Sequence, residues 1–151
     1  NVGLAASAGG ITAFLHYRYF RIDKGQMTRA LGGCVTGLVA VAASAPTLSF
    51  LQAVLVGAIA GIIHNTGFSL LRKYILHQVW QVRTAYMVAI HGLGGVWGTL
   101  CVVLFGSEGP SIGLLAVQLE GIAIALVYSV GLAHAVFLLF SVYKRRGAVI
   151  S

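Results

Sequence analysis

Apolar residues run along this chain in long uninterrupted blocks instead of alternating with polar ones. Five blocks stand out, at residues 2–20, 29–45, 48–71, 85–105 and 111–143. A hydrocarbon core about 30 Å thick takes roughly 20 apolar residues of helix to cross, which is the length of most of these blocks. The period-two pattern of a strand with one wet face does not occur in them, so they read as helices. Short interruptions separate them. Arg21-Ile22-Asp23-Lys24-Gly25-Gln26, Ala45-Pro46-Thr47 and Gly106-Ser107-Glu108-Gly109-Pro110 carry the glycine, proline and small polar residues of turns. Between Arg72 and Arg83 the run Tyr74-Ile75-Leu76-His77-Gln78-Val79-Trp80 mixes aromatic, apolar and basic residues, as a stretch lying in the membrane interface would. The last block exceeds the length needed for one crossing, so it is expected to tilt or to run on past the membrane. The pattern therefore predicts an all-α polytopic transmembrane bundle of about five spans, in one domain over residues 1–151.

Composition sharpens this reading. With 58% hydrophobic and 9% charged residues, the chain cannot cover itself with an ordinary polar surface and belongs in a bilayer. A net charge of +7 would suggest nucleic acid in a soluble protein, but here the cations collect at particular connections. Arg18, Arg21, Lys24 and Arg29 surround the first connection, Arg72, Lys73 and Arg83 the third, and Lys144, Arg145 and Arg146 the end. With five spans these segments all fall on one side, so the positive-inside rule places the C-terminus in the cytoplasm of a multi-pass cell or inner membrane protein. Cys34 and Cys101 lie inside predicted spans with no metal-ligand spacing and read as packing residues. Beginning at Asn1 inside a span and without an initiating Met, the chain is expected to be a piece of something longer.

Candidate chemistry centres on Ala89-Ile90-His91-Gly92-Leu93-Gly94-Gly95-Val96-Trp97-Gly98-Thr99-Leu100, in a stretch without a charged residue from Thr84 to Ser107. An ionisable ring is costly in hydrocarbon and is commonly kept for a pathway or a proton relay, so His91 is the first functional candidate. In an α-helix Met87 would lie one turn before it, and Gly94 and Gly95 one turn after it on the same face. The glycine pairs Gly33/Gly37, Gly57/Gly61 and Gly94/Gly98 have the small-xxx-small spacing that lets helices approach closely in lipid, so spans two, three and four should form a tight bundle. His16, His64 and His134 fall at similar depth. A bis-histidine haem site using His64 and His134 is one reading of them; the blander one has His64 satisfied by Asn65 and Thr66 across a helix contact. Glu120 in the last span is expected to bond a neighbouring helix, and Trp97 and Trp80 to serve packing and interface.

The run from His91 to Leu100 resembles the His-Gly-x-x-Gly-x-Trp-Gly-Thr-Leu signature on the tenth span of the ammonium transporters of the Amt/Mep/Rh group, and of the Amt branch in particular. Leu31 to Ala40 is similar to that family's eighth span, Gly57 to Gly61 to its ninth, and Gln118 to Ala123 to its long eleventh. The resemblance implies transport of ammonium, ammonia or methylammonium rather than enzyme chemistry, and no cofactor or metal. It makes His91 the second of two proton-handling pore histidines, with Met87 lining the lumen beyond it. It also implies a homotrimer in membrane lipid, a PII-type signalling protein at the cytoplasmic face, and a fold that is half of an inverted repeat plus a long final helix. The chain departs from the family pattern where Ala42 replaces a hydroxyl residue of the eighth span. It departs again where Gln78 to Arg83 replaces an acidic segment ahead of the tenth. A degenerate or accessory membrane protein of the same fold is the alternative that these losses suggest.

Overall fold

The computed structural model describes residues 1–20, 25–75, 78–107 and 109–147. Of the segments named above, Arg21 to Lys24, Leu76, His77 and Glu108 lie outside the described residues, as do the side chains of Trp80 and of Lys144 to Arg146. Among the described residues every regular element is helical: α1 (Val2–Phe20), α2 (Gln26–Val41), α3 (Phe50–Tyr74), a 3₁₀ turn (Val79–Gln81), α4 (Val82–Met87), a π-helical segment (Val88–Leu93), α5 (Gly94–Phe105) and α6 (Ile112–Gly147). The chain is thus all-α, with helices where each of the five apolar blocks predicts one. Among the described residues three stretches are long and apolar enough to cross a membrane: Phe50–Tyr74, the continuous run Val82–Phe105, and Ile112–Ser141, with mean hydropathies of 1.7, 1.9 and 2.3. Helices α1 and α2 are shorter, at 19 and 16 residues.

The boundaries have local causes. Ser49 caps α3: Gln52 N–H donates to its Oγ at 3.4 Å, while the Ser49 N–H donates to Gln52 Oε1 at 2.8 Å. This reciprocal pair satisfies two of the donors that a helix start leaves open. After Val41 the chain passes through successive turns over residues 42–47, closed by Ser44 N–H to Val41 O and Thr47 N–H to Ser44 O. Asn1 ties that corner down from another helix end, its Nδ2 donating to Ala45 O and Leu48 O. At the opposite end Arg72 Nη1 donates to Gln78 O at 2.7 Å, folding the third connection back onto α3.

Two compact units result, residues Asn1–Leu115 and Ala116–Ser151. In the first, α1 is the hub, packed against both α2 and α3. The glycine pairs of α2 and α3 all turn toward it. A β carbon on Gly33 or Gly61 would strike the backbone oxygen of Gly9, and one on Gly37 or Gly57 that of Ala5. The three helices therefore meet backbone to backbone along Ala5, Gly9 and Ala13, where dispersion and weak Cα–H contacts act over the shortest distances. Around that seam an apolar core gathers Ala40, Val41, Leu48, Ala53, Val56, Ala60 and Cys101, with Trp97 and Phe105 against it. The second unit is a single helical rod, the greater part of the 36-residue α6.

Candidate functional site

His91 sits in the π-helical segment Val88–Leu93, and the burial of its neighbours explains why the helix widens there. The buried small residues of this run are Ala85 ahead of the segment, Ala89 near its start, and Gly94, Gly98 and Cys101 after it. From Ala89 to Gly94 is one residue more than an α-turn spans. A π-turn takes up the extra residue, and the Gly94 N–H accordingly donates to Ala89 O. Both halves then keep a small-residue face on the rest of the bundle. Ala85 and Ala89 pack with Phe68, whereas Gly94 lies against Thr36 and Gly98 against the backbone of Ala40. Trp97 reinforces the second half, its Nε1–H donating to Val56 O at 3.1 Å.

This phase slip separates residues that an unbroken α-helix would align. Gly94 falls on the buried seam, while His91, two positions beyond Ala89 and so across the helix from it, is exposed. Met87 is 56% exposed, and Gly95 has open space where a β carbon would stand. The first unit thus offers an imidazole on an open face of an otherwise apolar helix, over a closely packed back. A neutral imidazole can donate one hydrogen bond and accept another, so an open ring in apolar surroundings can pass a proton along.

The other histidines behave differently. His64, on α3, is 0% exposed, and neither ring nitrogen has a hydrogen-bond partner among the described residues. The expectation that Asn65 and Thr66 satisfy it is corrected: Asn65 Nδ2 donates to Ala13 O at 2.7 Å, and Thr66 Oγ1 donates to the carbonyl oxygens of Ile62 and Ile63 on its own helix. The His64 ring instead lies on the bare Cα of Gly32 and beside the rings of Phe68 and Tyr86, at centroid distances of 6.5 and 5.5 Å. So enclosed, it presents no open edge to a haem iron, and His134 stands exposed on α6 in the other unit. No group of three or more His, Cys, Asp or Glu side chains gathers as a metal site among the described residues. His16 is half-buried, its Nδ1 3.5 Å from Asn65 Nδ2. Glu120 is exposed on α6, Cys101 is buried and Cys34 partly buried.

Arg29 does not belong to the loop cations. It lies in α2, 9% exposed, with its guanidinium 4.0 Å from the Phe68 ring centroid and 4.9 Å from that of Tyr17. Both rings present the negative face of their π system to the cation. Phe68 in turn packs on Tyr86, five residues before His91, at a centroid distance of 4.3 Å. The sequence reading passed over this cluster, because its members are far apart along the chain. It also passed over the hub role of α1, for which Ala5-xxx-Gly9-xxx-Ala13 was the available signal.

Residues 2–145 match the Ammonium Transporter Family. The chain is 40% identical over 116 residues to an inferred ammonium transporter of Synechocystis, a match covering 72% of this chain and 20% of that protein. It is 32% identical over 118 residues to an ammonium transporter of Archaeoglobus fulgidus, covering 78% of this chain and 24% of the relative. To an ammonium transporter of Bacillus subtilis it is 28% identical over 103 residues, covering 68% and 24%. The chain therefore spans a fifth to a quarter of the length of these relatives. A match over almost all of its residues, on apolar helices of membrane-crossing length, establishes that this chain belongs to the ammonium transporter family.

Proposed function

We propose that this chain supplies part of an apolar transmembrane pathway for ammonium or ammonia, with His91 as its proton-handling group and Met87 lining the path beside it. The observation that carries the reading is the placement of His91: an exposed imidazole on a π-helical turn, across the helix from a buried small-residue seam. Stripping water from an ammonium ion costs far more than stripping it from neutral ammonia, because the charged form gives up a much larger hydration energy. A dry path therefore favours the neutral amine, and a proton-accepting ring at its side lets the cation shed its proton before crossing. Such a ring is functional by default in a membrane, and the glycine seam behind it holds the helix in place.

The reading extends to the whole protein. Transport, not catalysis, is its activity, and methylammonium is an accepted analogue. The remaining wall of the pathway comes from a partner half related by an inverted repeat. The protein sits in the cell or inner membrane as a homotrimer among lipids, with its C-terminus in the cytoplasm, where a PII-type protein docks. Support for the orientation comes from the charge distribution, and for substrate and partners from the family. The test is uptake of labelled methylammonium by cells producing the natural protein or its His91→Ala variant at equal membrane levels. Uptake reduced at least several-fold, or changed in its dependence on external pH, is expected; equal uptake in every condition contradicts the proposal.

A further inference from the structure

His64 has no part in the pathway just proposed, yet it is the largest fully buried side chain among the described residues of the first unit. Polar groups enclosed in a protein are almost always hydrogen-bonded, and each exception asks for a reason. Here both ring nitrogens lack partners among the described residues, and the ring occupies the junction of three helices: α3 carries it, Gly32 of α2 lies against its ε edge, and Tyr86 of α4 covers it from the side. Gly32 tolerates no β carbon there, which would collide with Nε2 and Cε1, so α2 comes this close to the ring only because residue 32 is glycine.

The charged and titratable groups around it make a second proton on the ring hard to accommodate. From α2 comes Arg29, whose guanidinium covers the same Phe68 ring that stacks on His64. From α4 comes the Tyr86 phenol, and from α1 come Tyr17, beside Arg29, and His16, beside Asn65. Across the π segment His91 faces away, exposed. No Asp or Glu occurs among the described residues of this unit. An imidazolium there would carry two N–H donors with no acceptor for either, beside another cation.

We infer that His64 is an acid-sensitive latch: unprotonated it lets α2, α3 and α4 close over it, and protonated it must reach water, which parts α2 from α3 and shifts the α4 segment leading to His91. Closure acts on transport through Tyr86, which packs on His64 and precedes His91 by five residues on the same continuous helical run. The latch rests on the proposed pathway for its consequence on transport, but not for its consequence on packing.

Two readouts on the natural protein in lipid nanodiscs and in cells test it. Thermal stability of the nanodisc protein is compared at pH 8 and pH 5 for the natural sequence, His64→Leu and His64→Gln. If the ring binds no proton while enclosed and titrates normally once released, the closed state loses about tenfold in equilibrium constant per pH unit below the ordinary histidine range, or about thirtyfold by pH 5. The natural protein should lose melting temperature on acidification, and both variants should keep it. Methylammonium uptake should likewise fall at pH 5 in the natural protein and fall less in His64→Leu, with uptake at pH 7.5 retained. Equal acid losses of melting temperature in all three proteins overturn the latch. So does a variant that fails to reach the membrane while Gly32→Ser, which also wedges α2 from α3, inserts normally and keeps the acid response. If His91→Ala leaves uptake unchanged while the melting contrast holds, the pathway fails and the latch stands.

Discussion

Gly57 is where the closest approach of α3 to α1 is set, so Gly57→Ala measures how much the seam contributes. The new β carbon would lie 2.6 Å from Ala5 Cα and 2.7 Å from Ala5 C, and nearer still to Ala5 O. These are backbone atoms of a central helix and cannot swing aside as the end of a side chain can. To restore ordinary contact at 3.4–4 Å, α1 and α3 must part by about 1 Å. A gap of that size forfeits roughly a quarter to a half of the dispersion energy of the atoms along it. Overpacking of this kind costs about 3 kcal/mol at the upper end of its usual range, against which the better helix propensity of alanine returns about 1 kcal/mol. A net loss of about 2 kcal/mol is expected. The assay is reversible denaturation of the natural protein in detergent, followed by helicity, for Gly57→Ala beside Gly95→Ala. Gly95 has nothing within 4 Å of the added carbon, so its variant should match or slightly exceed the parent. Equal stability of the two variants would refute the backbone-to-backbone seam.

Two further outcomes follow from the same packing. Asn65→Ala removes the buried donor that holds Ala13 O, a side-chain bond joining α3 to α1, and should cost about 1 kcal/mol in the same assay. The loss is held to that size because Asn65 Oδ1 has no partner among the described residues, and its removal relieves a desolvated acceptor. Brief treatment of the folded protein with a small maleimide should modify Cys34, which is partly exposed, and leave Cys101 untouched until denaturant is added. Mass spectrometry of the two peptides counts the adducts, and early modification of Cys101 would contradict its burial in the core shared by α1, α2, α3 and α5.

Much of the fold could be read from the chain because hydrocarbon permits few solutions. Each apolar block had to become a helix, and Ser49 with Gln52 marks the start of α3 by chemistry that acts within one turn. The 36-residue length of α6 agrees with an apolar block too long for one upright crossing. The π segment was not legible. In a run where nearly every residue is apolar, a one-residue slip between the Ala85/Ala89 and Gly94/Gly98 faces leaves no mark in the periodicity. Only the tertiary seams on either side reveal it. Arg29 was equally hidden, since an arginine after a polar turn reads as a loop cation until Tyr17 and Phe68 are seen to enclose it. His64 and His91 look alike in sequence, each a lone histidine in an apolar span. What distinguishes them is the third dimension: Gly32 and Tyr86 close over one ring, and an extra residue in the helix leaves the other open.

The most direct test of the role given to His91 is electrical. Currents evoked by ammonium and by potassium gradients are recorded from proteoliposomes holding the natural protein, His91→Ala or His91→Glu, each at matched density and with correct insertion verified. A ring that takes the proton from ammonium beside an apolar path predicts that both substitutions alter the ammonium current or its preference over potassium, with the carboxylate variant differing from the alanine one. Ammonium currents and selectivity unchanged in both variants would contradict the account.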